Sequence, residues 1–588
     1  MDSSLDRGSP AITGMWEYTP KLPKFASLML LWLAPLIFLA LFYFFPLIKI
    51  LGLSFSQSDT GWTELFIEAL ISTSIRRVFW FTVWQALLST LITLAIGLPG
   101  AYLFARYEFR GKSMLMALTG IPFVLPALVV AAAFTSLLGP RGWINLALMA
   151  MFNLSQPPIQ FINTLTAILL AHVFYNTVIV LRMVGDFWSH LDPRLTQAAR
   201  TLGANRWQTL TRITLPLLAP SIAAAALLVF IFNFTSFGVI LILGGPRFAT
   251  LETEIYYQTI SLFNLPLAAT LAIIQLMCTL ALTVFYTRLT LRLSTPINLR
   301  SRRYTQRRLS NWKSRILAAC LITLLIGLLT TPLIALATRS ITRLEPELGQ
   351  ETLFTPSLTL DFYRELSVNR TSSLFYVPPT TAIAISLGYA GVTILLALAL
   401  GLPAAWALAR YPHTPINKIM DPLLMLPLGT SAVTLGLGFI VALNRPPLDL
   451  RTSILLIPLA HTLVAFPFVV RSLTPALRSI RPRLRHAAMV LGAPPGRVFR
   501  FIDLPLIGRA LLVAATFAFA ISLGEFGATA LIARPEYPTI PIVIYRYISQ
   551  PGAMNYGQAL ALSTILMLVT TAGMMAIERL RIADIGEF

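Results

Sequence analysis

The sequence is poor in charged residues, in cysteine and in histidine. Only 12% of its 588 residues are charged, whereas about 25% is usual for a soluble globular domain. This composition excludes an ordinary soluble enzyme. The two cysteines, Cys278 and Cys320, make neither a disulfide framework nor a metal-binding set. Both lie in apolar runs, so we expect them to be packing residues.

The sequence also lacks the motifs of common catalytic and cofactor sites. It contains no HExxH, no Walker A loop, no GxSxG and no cluster of carboxylates. A membrane-embedded transferase should carry a polar catalytic cluster at one interface, and the 5 histidines and few intramembrane acids disfavour one. We therefore predict no catalytic residues, no bound metal or cofactor, and no ATPase site within this chain.

Apolar residues make up 56% of the sequence and are gathered in long runs. A membrane-spanning helix needs about 20 such residues, and twelve runs reach that length. They lie near residues 28–54, 78–105, 114–138, 161–184, 217–244, 264–287, 316–337, 380–409, 419–443, 453–471, 507–532 and 556–577. We therefore predict an all-α polytopic membrane protein with about twelve transmembrane helices. The first run is too long for a signal peptide and lacks a cleavage site, so we expect it to be retained.

Positive charge is placed unevenly along the chain, which has 45 Lys and Arg against 24 Asp and Glu. Nine positive residues and no acidic ones fall between Arg288 and Arg315, and the other basic loops fall on the same side of the predicted spans. The segment 339–373, on the opposite side, holds five acidic residues against four arginines. The positive-inside rule makes the basic side, with both termini, cytoplasmic. Nucleic-acid binding is disfavoured because no aromatic platform accompanies the arginines.

The sequence repeats itself once. The string GLPGAYLFARY (97–107) matches GLPAAWALARY (401–411) at an offset of 304 residues. From a histidine in the fourth span onward the offset is 289, so the first half has 15 more residues, which we place in a loop on the outer side. Each half holds six predicted spans, an even number, so the halves are parallel repeats. We predict a first half at 1–300 and a second at 301–588, joined by the arginine-rich stretch.

A polar, basic segment occurs once in each half, between the fourth and fifth predicted spans. It reads QAARTLGANRWQTLTRITLP at 197–216 and HAAMVLGAPPGRVFRFIDLP at 486–505. Both copies fall on the predicted cytoplasmic side. The first copy has small side chains at Ala198, Ala199 and Gly203, flanked by arginines. Because these side chains protrude little, another protein could approach the segment closely. We predict a docking element, with an ordinary amphipathic loop as the alternative.

Capping residues define the helices of this segment. Asp192 as N-cap, Pro193 at the first helical position and Gly203 as a C-terminal stop predict a helix of about ten residues. Asn205 offers a second cap, and the second copy has two prolines there, at 494–495. We therefore expect another helical segment to run from this point to Leu-Pro.

The segment resembles the EAA loop in the permease subunits of bacterial ABC importers. Both copies keep Ala-Ala, three residues, Gly, and a hydrophobic stretch ending in Leu-Pro, whereas the leading Glu is replaced by Gln or His. In that family the loop is a coupling helix that sits in a cleft of the ATP-binding subunit. The resemblance assigns the coupling role to Gln197, Ala198, Ala199, Gly203, Pro216, His486, Ala487, Ala488, Gly492 and Pro505.

The same resemblance implies a fold and a set of partners. The fold would be that of a type I ABC importer permease in the bacterial inner membrane. A dimer of cytoplasmic ATP-binding subunits would use ATP and magnesium and move the two loops as it closes. A periplasmic or lipid-anchored substrate-binding protein would deliver a small solute to the outer face. The chain itself would be a transport subunit and no enzyme.

Glu525 is an acidic residue inside an apolar run, FAISLGEFGATALIA. An ionisable group at that depth is costly unless it faces a cavity or a partner. Its repeat mate is Ser236, and the first-half segment is polar as well. We predict that these fifth-span segments line the translocation path, with Glu525 meeting a cation or polar cargo. The predicted path residues are Asn233, Ser236, Phe237, Glu525 and Phe526. In the alternative, Glu525 pairs with a neighbouring Arg or caps a broken helix.

Two further pairs of residues bear on this path. Gly524 and Gly527, beside the acidic residue, permit a close helix approach or a local break. His172 and His461 hold matching positions in the fourth spans. We expect both histidines to pack or to form hydrogen bonds and not to bind a metal.

Several strings are similar to the fused twelve-span permeases for thiamine and, next, for ferric iron. They include WQALLSTL (84–91), ILLAHVFYN (168–176), SFGVILILGGPRFATLETEIY (236–256) and SLGEFGATALIARPEYPTIPIVIY (522–545). The similarity implies thiamine or a related small cationic solute as cargo, with ferric iron as the alternative. A proton-coupled secondary transporter also has twelve spans in two parallel halves, but it would not need matched docking helices.

Overall fold

The computed structural model describes residues 25–56, 71–293, 306–309, 311–344, 357–368, 377–412, 414–444, 446 and 448–585. The α-helices of the first half are Phe25–Leu39, Phe45–Ser56, Thr73–Arg106, Lys112–Val124, Ala127–Leu138, Trp143–Phe152, Leu165–His190, Pro193–Thr201, Arg206–Thr209, Leu215–Phe234, Gly238–Leu243, Leu251–Ile260 and Leu265–Leu293. Those of the second half are Trp312–Arg339, Asp361–Arg364, Pro379–Arg410, Pro415–Met425, Ala432–Ala442, Leu456–Ser479, Pro482–Val490, Pro495–Val498, Leu504–Leu506, Gly508–Gly524, Thr529–Ile532, Ile540–Ile548 and Ala553–Ile585.

Short irregular elements complete the described chain. Turns of π-helix lie at Ala40–Phe44, Leu210–Thr214 and Phe499–Asp503, and 3-10 turns lie at Pro246–Phe248, Glu365–Ser367 and Leu426–Gly429. Two small strand pairs join Tyr107–Glu108 in parallel to Arg307–Arg308, and Thr342–Arg343 in antiparallel to Ser357–Leu358. The first strand pair places part of the arginine-rich stretch that joins the halves beside the end of the helix Thr73–Arg106.

The predicted fold class is confirmed. Within the described residues, ten helices are long and apolar enough to cross a membrane, and two bent helix pairs bring the number to twelve if each pair forms one span. These spans form two parallel repeats of six helices each. The chain is therefore a multi-pass membrane protein of the all-α class.

Four of the runs that the sequence predicted as single spans are broken in the structure, and the two in the fifth spans, near 217–244 and 507–532, are described with the site below. The run near 114–138 divides at Leu125, which is extended, and Pro126, which lacks the N–H needed to continue a helix. The run near 419–443 bends by 95° between its two helices. There Ser431 is the N-cap of the second helix, with its side chain accepting from the backbone N–H of Val433. Both breaks leave irregular backbone at membrane depth, inside the protein.

Equivalent contacts in the two halves show that the repeat extends to the packing. Thr82 Oγ1 accepts a hydrogen bond from Leu251 N at 3.1 Å, and Ser386 Oγ accepts one from Ile540 N at 2.8 Å. The two pairs are related by the offsets of 304 and 289 residues found in the sequence. Each bond ties the second span of its half to the segment that follows the fifth.

The glycine of the repeated GLP motif is explained by a close helix approach. A Cβ added at Gly97 would lie 2.7 Å from Val180 Cβ, and one added at Gly401 would lie 2.6 Å from Val469 Cγ1. Contacts this short leave no room for a side chain, so only glycine lets the second and fourth spans of each half touch. The same residue type therefore serves the same packing in both halves.

The first spans of the two halves are exchanged. Phe25–Leu39 packs against Pro379–Arg410 of the second half, while Trp312–Arg339, the first span of the second half, packs against Ala127–Leu138 of the first. The largest hydrophobic core consequently contains buried residues from both halves. Neither half completes its core alone.

Some predictions fall outside the described residues. These are the cytoplasmic placement of the ends at 1–24 and 586–588, the boundary at residue 300 and most of the arginine-rich linker, of which 294–305 are not described. They stay predictions. The longer loop of the first half is described, and it contains the helix Trp143–Phe152.

Candidate functional site

A cavity of about 390 Å³ lies between the halves and holds most of the predicted path residues. Asn233, Ser236, Phe237 and Glu525 line it, whereas Phe526 is outside its lining and contacts Phe237. The helix Leu215–Phe234 ends here, and the chain turns before the short helix Gly238–Leu243 begins. The predicted fifth span is therefore two helices, and its polar residues lie at the break between them.

Six aromatic rings line this cavity, among aliphatic and small residues. Five come from three helices of the first half and two of the second, and one lies at the helix break. They belong to Phe123, Tyr175, Phe232, Phe237, Phe468 and Phe517. Aromatic rings together with a carboxylate suit an organic cation, because an aromatic face attracts positive charge.

Two phenylalanines at repeat-equivalent positions close one side of the cavity. Phe237 and Phe526 stack with ring centroids 5.5 Å apart and planes 22° apart. Phe237 also contacts Tyr256 at 5.4 Å, and Phe526 contacts Tyr545 at 5.5 Å, both with an interplanar angle of 56°. Since each half supplies the same pair of rings, the stack lies on the pseudo-twofold axis.

The cavity extends from this stack toward the end of the bundle that carries the polar loops. Phe468 lies nearer than His461 to the end of its helix, which leads into the second loop. Phe232 and Phe517 likewise lie on the loop side of the helix breaks. Phe237 therefore lies on the side of the cavity away from the loops, with Phe526 stacked on it.

Glu525 caps a broken helix. The helix Gly508–Gly524 ends directly before it, as its glycines predict. Its Oε1 accepts from Ala528 N at 2.8 Å, and its Oε2 accepts from Thr529 N at 3.1 Å and from the Thr529 hydroxyl. His461 Nε2 lies 3.4 Å from Oε2. Glu525 therefore caps a broken helix, as the alternative had it, but its partners all lie in the second half, so the cap does not join the halves. The basic side chain beside it is a histidine and not the arginine that was considered.

Each of the two histidines forms hydrogen bonds through both ring nitrogens, although the partners are not at equivalent positions of the repeat. His172 Nδ1 lies 3.0 Å from Ser89 Oγ, and its Nε2 lies 2.9 Å from Ser236 Oγ. His461 lies 2.8 Å from Ser522 Oγ and 2.9 Å from Thr529 Oγ1. Both rings are buried. Their predicted hydrogen-bonding role is confirmed, and each ties the fourth span of its half to the broken fifth span.

Sequence reasoning missed Glu252, a second buried carboxylate. Its two oxygens accept hydrogen bonds from the Gln275 side chain and, at 2.5 Å, from the hydroxyl of Ser431 in the other half. Ser431 caps the helix that follows the 95° bend, so this contact joins the halves at a break. Its string ATLETEIYY (249–257) is of mixed polarity and lies between two predicted spans, so no clear signal in the sequence indicates that this residue is buried.

The two predicted docking segments form short helices, as expected. They are Pro193–Thr201 and Pro482–Val490, which we call the loop helices. Asp192 caps the first, with its Oδ1 accepting from Arg194 N at 3.0 Å. Gly203 and Gly492 follow the helices with φ of +85° and +83°, the left-handed region that favours glycine.

The surface of the loop helices is open. Among the predicted coupling residues, Gln197, Ala198, His486 and Ala487 are exposed, and Ala199 is buried. Next to each stop glycine, Leu202 is 88% exposed and Leu491 is 87% exposed. A leucine so exposed at the same position of both repeats is typical of a surface that a partner covers.

The second loop helix is tied to the protein more firmly than the first. Arg485 Nε lies 2.5 Å from Asp503 Oδ1, and both side chains are buried. The Arg485 guanidinium also lies over the Trp406 ring, 5.6 Å from its centroid. The first half has Thr196 and Thr214 at the positions of this ion pair. The coupling segments are therefore alike in backbone and different in anchoring.

No group of three or more His, Cys, Asp or Glu that could hold a metal ion occurs in the part of the chain that the structure describes. Cys278 is half-buried and Cys320 is exposed at the surface of its apolar helix. The expected packing role therefore fits Cys278 better than Cys320.

Comparison with known proteins adds a family and close relatives. The family "Binding-protein-dependent transport system inner membrane component" matches residues 97–295 and 397–581. The thiamine transport system permease protein ThiP of Salmonella typhimurium is 26% identical over 562 residues, covering 93% of this chain and 96% of that protein. ThiP of Brucella abortus is 29% identical over 521 residues, covering 87% and 89%. A solved bacterial ABC transporter for alginate import has 20% identity and a TM-score of 0.40, covering 46% of this chain and 96% of its own.

Proposed function

Since this chain belongs to the binding-protein-dependent transport system inner membrane components, the permease subunits of ABC importers, we propose that its cargo is thiamine or a related small organic cation. The observation that carries the proposal is the cavity between the halves, which six aromatic rings and the carboxylate of Glu525 line together. Its volume of about 390 Å³ lies within the range of about 300–1,000 Å³ usual for small-molecule sites. The relatives that cover most of the chain are named as thiamine permeases, which supports the same cargo.

The aromatic lining favours an organic cation over ferric iron. A ring face stabilises a delocalised or quaternary cation by about 0.5–2 kcal/mol, and several rings meet at this cavity. A ferric ion instead prefers several oxygen ligands, while the cavity wall supplies one carboxylate, Glu525, which already caps a helix. Iron import remains the second candidate because the fold is shared.

We propose further that the loop helices couple the permease to a dimer of cytoplasmic ATP-binding subunits, which bind the ATP and magnesium. The exposed Leu202 and Leu491, beside the small residues of each loop helix, are the contact that supports this role. A periplasmic or lipid-anchored substrate-binding protein would load cargo at the opposite face. A secondary transporter is disfavoured, because it has no use for two matched docking helices.

Uptake into proteoliposomes tests this function. The chain is reconstituted with its ATP-binding subunits and its substrate-binding protein, and labelled thiamine or ferric iron is supplied outside. We expect ATP-dependent accumulation of thiamine that requires the binding protein. Accumulation of ferric iron without thiamine would overturn the cargo, and uptake driven by a proton gradient without ATP would overturn the coupling.

A further inference from the structure

A second cavity, of about 450 Å³, lies at the end of the bundle opposite the loop helices. The helix Trp312–Arg339 runs from the end of the bundle that carries the loop helices to the end that carries this cavity. It starts near the strand Arg307–Arg308, which pairs with Tyr107–Glu108 beside the loop-helix end. Its last residue, Arg339, lines the second cavity. The cavity is therefore one membrane span away from the loop helices and separate from the proposed path.

Three arginines from different segments meet at this cavity. Arg141 comes from the loop before the helix Trp143–Phe152, Arg339 from a helix end and Arg343 from a strand. No acidic side chain belongs to the lining in the described part of the chain. Arg141 and Arg343 have further interactions, so the site depends on Arg339 above all.

Arg339 is buried, and one of its N–H groups lacks an acceptor among the described residues. The residue is 6% exposed, and within the described chain its Nε has no hydrogen-bond partner. A buried N–H group without an acceptor is costly, because it has lost its hydrogen bond to water and gained none in return. An anion in the cavity would supply the missing acceptor. Gln550 and Tyr556 also line the cavity and carry further donor groups.

The position of the cavity indicates which anion this is. The helix Trp312–Arg339 exposes apolar side chains along its length, among them Ile316, Leu324 and Ile334. These residues face lipid, so Arg339, at the end of the helix, lies near the level where the bilayer ends. Phosphate groups are concentrated there, and arginine binds phosphate oxygens in a bidentate manner.

We propose that this cavity is a binding site for a phosphate-type oxyanion, held by Arg339 with Arg141 and Arg343. The phosphate is either the headgroup of a bilayer phospholipid or a free phosphate, and the chemistry of recognition is the same. The site is independent of the cargo path, since none of its lining residues belongs to the first cavity. It would hold together the first-half loop, the start of the second half and the last helix.

Binding to the purified full-length chain in an uncharged detergent tests the proposal. The probes are short-chain phosphatidylglycerol and labelled orthophosphate, measured separately. The variant Arg339→Gln removes the charge at the centre of the site. The matched control is Arg451→Gln, which removes an exposed charge from a loop at the same end of the bundle.

We expect Arg339→Gln to weaken the binding of at least one probe by about tenfold or more, as the loss of a charged hydrogen bond predicts, while Arg451→Gln leaves it unchanged. Loss of lipid binding identifies the headgroup as the source, and loss of orthophosphate binding identifies the free ion. Equal binding by the wild type and Arg339→Gln, or no binding of either probe to the wild type, overturns the proposal.

A second variant keeps the proposal testable if replacing the buried Arg339 prevents folding. Arg141 is exposed, so Arg141→Gln keeps the core intact and removes charge from the rim. We expect a smaller loss of binding of the same probe. If Arg339→Gln does not yield a monodisperse protein, unchanged binding by Arg141→Gln overturns the proposal. Weaker association of the substrate-binding protein with unchanged probe binding would indicate a docked carboxylate and would also overturn it.

Discussion

Phe237 and Phe526 stack on each other, 5.5 Å between centroids, although they belong to different halves of the chain. They are repeat mates, and each is flanked by the tyrosine at the equivalent position of its own half. A contact between equivalent residues must lie on the axis that relates the halves. Anything that crosses the membrane along that axis has to separate these rings, so in the proposed path the stack would be a closed gate.

One pair of variants can separate the capping role of Glu525 from its proposed role in the cargo path. Glu525→Gln removes the charge and keeps an oxygen for the cap, whereas Thr529→Val removes one capping partner and keeps the charge. We expect Glu525→Gln to lower cargo-stimulated ATP turnover of the assembled transporter by about tenfold, in line with about 1.5–3 kcal/mol for a hydrogen bond to a charged group. Thr529→Val should have a much smaller effect. Equal losses would make the role structural, and unchanged transport in Glu525→Gln would remove the residue from the path.

The stop glycines of the loop helices provide a test of coupling. The double variant Gly203→Asp, Gly492→Asp places a charged side chain at two left-handed positions and beside the exposed leucines. We expect it to lose co-purification with the ATP-binding subunits. Gly111→Asp is the matched control, since Gly111 also has a positive φ, of +82°, and open space around it, but lies outside both loops. An ATP-binding subunit retained by the double variant would contradict the docking role.

The buried ion pair of the second loop helix can be tested against the first half. Arg485→Thr leaves Asp503 charged and buried, and breaking such a pair costs about 3–5 kcal/mol. We expect a clear fall in the thermal unfolding temperature in detergent. The double variant Arg485→Thr, Asp503→Thr copies Thr196 and Thr214 of the first half and should recover most of the loss. A double variant as unstable as the single one would show that the first-half arrangement cannot replace the pair.

The sequence predicted the elements whose causes are local. The caps at Asp192 and Asn205 and the stop at Gly203 depend on neighbouring residues, and the structure has them where they were expected. Gly492 has the same backbone conformation at the equivalent position of the second half. The sequence repeat could be detected as well, because residues at equivalent positions of the two halves make equivalent contacts. The long apolar runs likewise predicted the membrane-spanning helices.

The contacts between distant residues could not be predicted. Glu525 and His461 lie in different spans, and Glu252 meets Ser431 across the two halves. Which spans become neighbours is decided by packing, as is the exchange of the first spans. The helix break before Pro126 was also missed, because a proline in an apolar run is compatible with a kinked but continuous span.

The most direct measurement is transport through a gate that is locked shut. In a chain with Cys278→Ala and Cys320→Ala, the pair Phe237→Cys, Phe526→Cys is joined by a short thiol crosslinker in the assembled transporter. ATP-driven thiamine uptake is then followed before crosslinking, after it, and after cleavage of the link. The account predicts that uptake stops on crosslinking and returns on cleavage. Uptake that continues with the two positions joined would contradict a path between Phe237 and Phe526.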